Sequence, residues 1–161
     1  MKRHISKLTL AALATVAASQ LPAWDGGKHA AQIQAIKDNE VRWNGEFEKR
    51  DVEKMLAHYT DDAILMAPGL PAFNGKAEIR AMLTGMIADP AMSLKFRTLH
   101  VEVGAAGDMA STQGSFTMTM TDPATKKVVT SDGSYVTVYK KLGGEWKAVF
   151  DIATAGPEGA K

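Results

Sequence analysis

Apolar residues recur at helical spacing in the first half of this chain and at strand spacing in the second. From Lys28 to Arg50 the stripe Ile33, Ile36, Glu40, Trp43 and Phe47 advances in steps of three and four, which is one face of a helix. Asp51 is placed to cap a second, short helix, with Val52, Met55, Leu56 and Tyr59 on its inner side. A third helix is predicted from Lys76 to Ala88, with Ile79, Met82, Leu83, Met86 and Ile87 facing inward and Asp89-Pro90 ending it. Between the second and third helices the stretch AILMAPGLPAFNG is apolar but interrupted by Pro68, Gly69, Pro71 and Gly75. It predicts one short strand, a bend and a second stub, with Asp61-Asp62 as the turn leading in.

After Pro90 the period drops to two. Leu94–Val103, Met109–Thr121, Lys127–Lys140 and Glu145–Thr154 read as four strands, separated by turn signals at Gly104–Gly107, Asp122-Pro123 and Gly143-Gly144. In SFTMTMT the residues Phe116, Met118 and Met120 share one face and threonines the other. In the last strand, strict alternation groups Trp146, Ala148 and Phe150 against Lys147, Val149, Asp151 and Ala153. Helices followed by strands define an α+β domain.

The N-terminus follows neither period. Lys2, Arg3 and Lys7 precede the apolar run Leu8–Ala18, which is followed by small residues. That order predicts a signal peptide over residues 1–23, cut somewhere between 18 and 23. The run is too short to span a bilayer, so a periplasmic or secreted protein is expected, with no membrane attachment after cleavage. Residues 28–155 then form one domain, and the Gly/Pro-containing tail 156–161 is expected to fray. The 161 residues contain no cysteine, which excludes disulfides, thiolate metal sites and thiol nucleophiles. With 19 basic and 18 acidic residues there is no charge reason to expect nucleic acid as a partner.

Three stretches resemble a known superfamily. WNGEFEKRDVEKMLAHYTDDAILMAPG resembles the helix–helix–strand entry of the SnoaL-like, nuclear-transport-factor-2-like superfamily. GDMASTQGSFTMTM and SDGSYVTVYKKLGGEWKAVFDIA resemble the strands of its uncharacterised branch, domain-of-unknown-function family 4440. The resemblance spans Ile33 to Ala155 and implies a cone: a curved antiparallel sheet wrapped around N-terminal helices, as in the cystatin-like α+β roll, enclosing an apolar pocket. It also implies a homodimer through the convex face of the sheet, where alternation places Trp146 and Phe150.

The more distant ketosteroid isomerases in that superfamily use a carboxylate base before a proline, a tyrosine on the first helix and a protonated aspartic acid on a later strand. The resemblance puts Ala67, Trp43 and Tyr135 at those three positions. Alanine accepts no proton and indole is barely acidic, so that mechanism does not carry over. Candidate catalytic residues are instead Asp151, Glu40 and Tyr135. Asp151 lies in the register that lines the pocket of related isomerases, and Glu40 sits on the apolar stripe one turn before Trp43. Against these stand an Asp at a wet cone mouth or hydrogen-bonded to a strand partner, and a Glu on the rim or paired with a lysine.

Candidate ligand-binding residues are Trp43, Tyr59, Met66, Met82, Met86, Met118, Tyr135, Val149 and Asp151, with core packing as the alternative for the aromatics and methionines. His29, His58 and His100 lack metal-ligand spacing, and no Walker or GxSxG motif occurs; neither a metal nor a cofactor is expected. Three readings remain open: a binder of a small apolar or aromatic molecule, an acid–base enzyme of isomerase or cyclase type using Asp151 on a carbonyl or polyketide-like substrate, and a dimeric interaction module.

Overall fold

The computed structural model describes residues 26–156; the predicted signal peptide lies outside them, as does the tail beyond Gly156. Helices dominate the first half and strands the second: α1 (Gly26–Glu48), α2 (Val52–Ala57), β1 (Tyr59–Met66), β2 (Phe73–Asn74), α3 (Gly75–Ile87), β3 (Ser93–Val103), β4 (Met109–Thr121), β5 (Val128–Leu142) and β6 (Glu145–Ala155). The strands form one curved, unclosed sheet in the order β2-β1-β6-β5-β4-β3. Only β1 and β6 pair in parallel. α1 packs on β3 and α3 on β1, so the helices cover the concave face. There Ile36, Trp43 and Phe47 of α1 meet Met55, Leu56, Ile79, Leu83 and Tyr139 in the core.

Each helix has a local cause. Asp51 caps α2 by accepting the Lys54 N–H at 3.1 Å. α1 ends where Arg50 turns into the left-handed region at φ 55°. The Arg50 guanidinium then donates to the carbonyls of Ile87, Asp89, Pro90 and Met92 at 2.8–3.0 Å, tying the end of α1 to the link between α3 and β3. On the other side, Asn44 pairs through both amide atoms with the backbone of Phe96, docking the helix on β3.

The entry to the sheet differs from the sequence expectation. Tyr59 opens β1 instead of closing the stripe of α2, because the backbone leaves the helix at His58 to join β6, where Ala148 N–H donates to His58 C=O at 2.7 Å. Asp61 and Asp62 are strand residues, exposed at the irregular pairing between Tyr59 and Ile64, and not a turn.

A β-bulge corrects the last strand as well. Tyr139 pairs with Ala148 and Val138 with Phe150, leaving Val149 unmatched. One extra residue resets the alternation. Trp146 and Ala148 therefore share the inner face with Asp151 and Ala153, while Phe150 points outward and is 41% exposed. Trp146 is buried, so it belongs to the core and not to the convex surface.

Two glycines shape the concave face. Gly114 pairs with Tyr135 and Gly133 with Phe116 across β4 and β5. A Cβ at Gly114 would lie 2.3 Å from the Tyr135 ring and 2.4 Å from Arg97 C=O; at Gly133 it would lie 2.3 Å from the Phe116 ring and 2.4 Å from Thr154 C=O. Each glycine thus leaves room for the opposite ring to lie over the strand. Gly114→Ala and Gly133→Ala should each cost about 1–3 kcal/mol, seen as a lower urea midpoint. An unchanged midpoint would show that ring and carbonyl both yield freely.

Candidate functional site in the concave pocket

Between α1, α3 and the sheet lies a partly open cavity of about 150 Å³. Its wall is largely apolar, with Phe47, Leu65, Leu83, Phe96 and Phe116 among its residues. Beyond the Trp43 indole, the polar lining consists of Glu40, Tyr59, Tyr135, Thr137 and Asp151.

Glu40 is 2% exposed and, among the described residues, forms no ion pair. Its Oε1 accepts from Thr112 at 2.7 Å and from the Tyr139 hydroxyl in a very short bond. Its Oε2 accepts from Tyr135 at 2.7 Å and Thr98 at 3.1 Å. Four hydroxyls from β3, β4 and β5 thus converge on one helix residue. Burial first, and the charge of Glu40 second, push the Tyr135 and Tyr139 phenols well above their ordinary range, which keeps both as donors.

Asp151 is arranged differently. Its Oδ2 accepts from Tyr59 at 2.6 Å and its Oδ1 from Thr137 at 3.1 Å. Burial raises its pKa from 3.8 to about 6; the two hydrogen bonds oppose that rise and the charge of Glu40 adds to it. The Tyr59 phenol is pushed far up by burial and by Asp151, so it stays protonated.

The aromatic residues form one connected set. Trp43 meets Tyr59 and Phe96 edge-on at 5.0 and 6.1 Å, and Phe96 meets Tyr135 at 5.7 Å. Trp43 also stacks on His58 at 4.8 Å with rings 7° apart. His58 does not line this cavity; its Nε2 lies 2.7 Å from Glu46, and burial lowers its pKa against the pull of that carboxylate.

Asp151, Glu40 and Tyr135 meet on this cavity, as do Trp43, Tyr59, Met66, Met82, Met86 and Met118. Val149 does not, because the bulge removes it from the register of Asp151. Glu40 is neither a rim residue nor a salt-bridge partner. Sequence reasoning missed Thr137, Tyr139, Thr98 and Thr112. One available signal was the i, i+2, i+4 spacing of Tyr135, Thr137 and Tyr139, which puts three hydroxyls on one strand face.

A family model described as the SnoaL-like domain matches residues 41–149. The chain belongs to the SnoaL-like domain family; the match supports the superfamily and stops short of the narrower uncharacterised branch. No curated protein sequence matches it. Among solved structures, it is similar to a ketosteroid isomerase-like protein from Erwinia carotovora atroseptica SCRI1043, with TM-score 0.67 and 23% identity over 78% of this chain and 98% of that one. A candidate scytalone dehydratase from Novosphingobium aromaticivorans DSM 12444 superposes with TM-score 0.69 and 14% identity, covering 81% of this chain and 87% of that one. A nuclear-transport-factor-2-like protein with a cystatin-like fold, from Novosphingobium aromaticivorans, gives 0.63 at 14% identity over 83% and 87% of the two chains. At these identities the structures define the fold alone.

The raised Asp151 pKa has a sign for stability. The folded protein holds this proton more tightly than the unfolded chain, so raising the pH from about 4 to about 6 removes stability, by up to roughly 3 kcal/mol. Asp151→Asn escapes that loss. Its melting temperature should gain on the parent as pH rises through this window and stay parallel above it. Parallel curves throughout would mean that the Asp151 pKa is not raised.

Proposed function

We propose that this protein binds a small, mostly apolar molecule, about the size of one substituted aromatic ring, in the concave pocket, with Asp151 as its polar anchor and no covalent step. The carrying observation is a cavity of about 150 Å³ whose apolar wall contains a single incompletely buried carboxylate. Cavities of this order hold a benzene-sized guest. Met66, Met82, Met86 and Met118 supply flexible, polarizable wall that adapts to a ring.

A second reading is supported by the Asp151 pKa of about 6, which suits a group that takes and returns a proton near neutrality. On that reading Asp151 is the base, acting on a carbonyl or polyketide-like substrate in an isomerase- or dehydratase-type reaction. It would not follow the ketosteroid isomerase route, because Ala67 and Trp43 occupy the wall where that route needs a base and a phenol.

Export rests on the basic and then apolar pattern of residues 1–23. A homodimer through the convex face is supported by Val136 and Phe150, which project from it 39% and 41% exposed.

Titrating protein labelled at its methionine methyls with toluene and phenol tests the pocket. The resonances of Met66, Met82, Met86 and Met118 should move, while fully buried Met55, outside the cavity, stays in place as an internal control. If neither probe moves the four pocket methyls, the binding reading fails. For the dimer, native mass measurement of the exported protein should show twice the chain mass, reduced to one chain by Phe150→Arg. A parent that is monomeric at every concentration sinks the interface.

A further inference from the structure

The hydrogen-bonding capacity of the pocket wall is one-sided. Three hydroxyls line it, and the proton of each is already committed. Tyr59 and Thr137 donate to Asp151, and Tyr135 donates to Glu40. The Trp43 indole N–H has no hydrogen-bond partner, and that atom is covered by protein. No lysine, arginine or histidine belongs to the lining. Apart from that covered indole, the described residues of the wall offer a ligand acceptors and no free donor.

Those acceptors are concentrated on one group. A carboxylate accepts about four hydrogen bonds through its two oxygens. Glu40 receives four, and it is almost fully covered. Asp151 receives two, one on each oxygen, and is only partly buried, so both oxygens keep a free lone pair. Tyr59 is as covered as Trp43, and the Tyr135 hydroxyl oxygen already has Thr98 Oγ1 at 3.3 Å, so Asp151 carries the acceptance left to a ligand. Beside it stand the aromatic side chains of Phe96 and Phe116.

A carboxylate with spare acceptance, aromatic walls and no competing cation together fit one class of guest. We propose that the pocket selects a small primary amine in its ammonium form, carried on an apolar body of about one ring, with the ammonium donating to Asp151. The proposal rests on reading the pocket as a ligand site and names what that site prefers. The ammonium brings donors to the free lone pairs of Asp151 and a positive charge to the aromatic side chains of the wall. A carboxylate or phosphate ligand would instead bring a third negative group beside Glu40 and Asp151 with no donor to receive it. The same deficit weighs against the acid–base reading, since an enolate formed from a carbonyl substrate would find every wall hydroxyl already committed.

The test is calorimetric titration of the exported protein at neutral pH with four single-ring probes of nearly the same shape: benzylamine, benzyl alcohol, toluene and benzoate. Benzylamine should bind roughly tenfold or more tightly than benzyl alcohol, and benzoate should not bind. In Asp151→Asn, checked for folding by its methionine methyl spectrum, the preference for benzylamine over benzyl alcohol should vanish. If toluene or benzyl alcohol binds as tightly as benzylamine, or if benzoate binds, the amine proposal is overturned while the pocket remains a ligand site. If none of the four binds and no pocket methionine moves, the ligand-site reading itself fails, and the amine proposal with it.

Discussion

One buried carboxylate holds the two layers of this domain together. Glu40 leaves α1 and is met by hydroxyls from three adjacent strands: Thr98 of β3, Thr112 of β4, and Tyr135 and Tyr139 of β5. Removing a carboxylate from water is costly unless its oxygens are satisfied, and here charge-assisted hydrogen bonds take the place of the water. The arrangement is also directional. Apolar packing of Ile36, Trp43 and Phe47 would allow α1 to slide or roll on the sheet, but four hydroxyls converging on two oxygens admit one depth and one rotation. Because no cation is involved, the pin does not depend on the charge of a distant, mobile side chain.

The pocket is a consequence of that fixed helix together with two departures from regular sheet geometry. Gly114 and Gly133 let the rings of Tyr135 and Phe116 lie over neighbouring strands, which brings the Tyr135 hydroxyl to Glu40 and leaves Phe116 on the cavity wall. The bulge at Val149 lets β6 keep Trp146 and Ala148 in the core and still deliver Asp151 to the inner face. Without the extra residue, a strand that buries Trp146 and Ala148 would point Asp151 at the convex side.

These features also mark where the sequence is legible. The helical stripe from Ile36 to Phe47 and the alternation of Phe116 and Met118 are local signals, and the elements form where they lie. Pocket membership of Glu40, Tyr135 and Asp151 follows from the same faces combined with the family resemblance. What was hidden is non-local. The partners of Glu40 are 58 to 99 residues away, so a Glu on an apolar stripe shows that it is buried but not what satisfies it. A bulge leaves no mark on a period-two reading, which assigns Val149 to the pocket and Trp146 to the outer surface. Tyr59 misled for another reason: its four-residue step from Met55 fits a helix, and only the tertiary pairing with β6 ends α2 first.

The two carboxylates show why membership in this family does not by itself decide chemistry. Both are acids on one cavity, and an inventory of residue types would treat them alike. Their hydrogen-bond occupancy separates them. Glu40 is saturated and inaccessible, which makes it structural; Asp151 is half-occupied and partly exposed, which makes it available. The donors that could have stabilised a developing anion are the same hydroxyls that saturate Glu40 and steady Asp151. The wall cannot use those protons twice. The hydroxyls that hold the helix in place are not free to meet an oxyanion, and the polarity left at Asp151 suits a guest that brings its own protons.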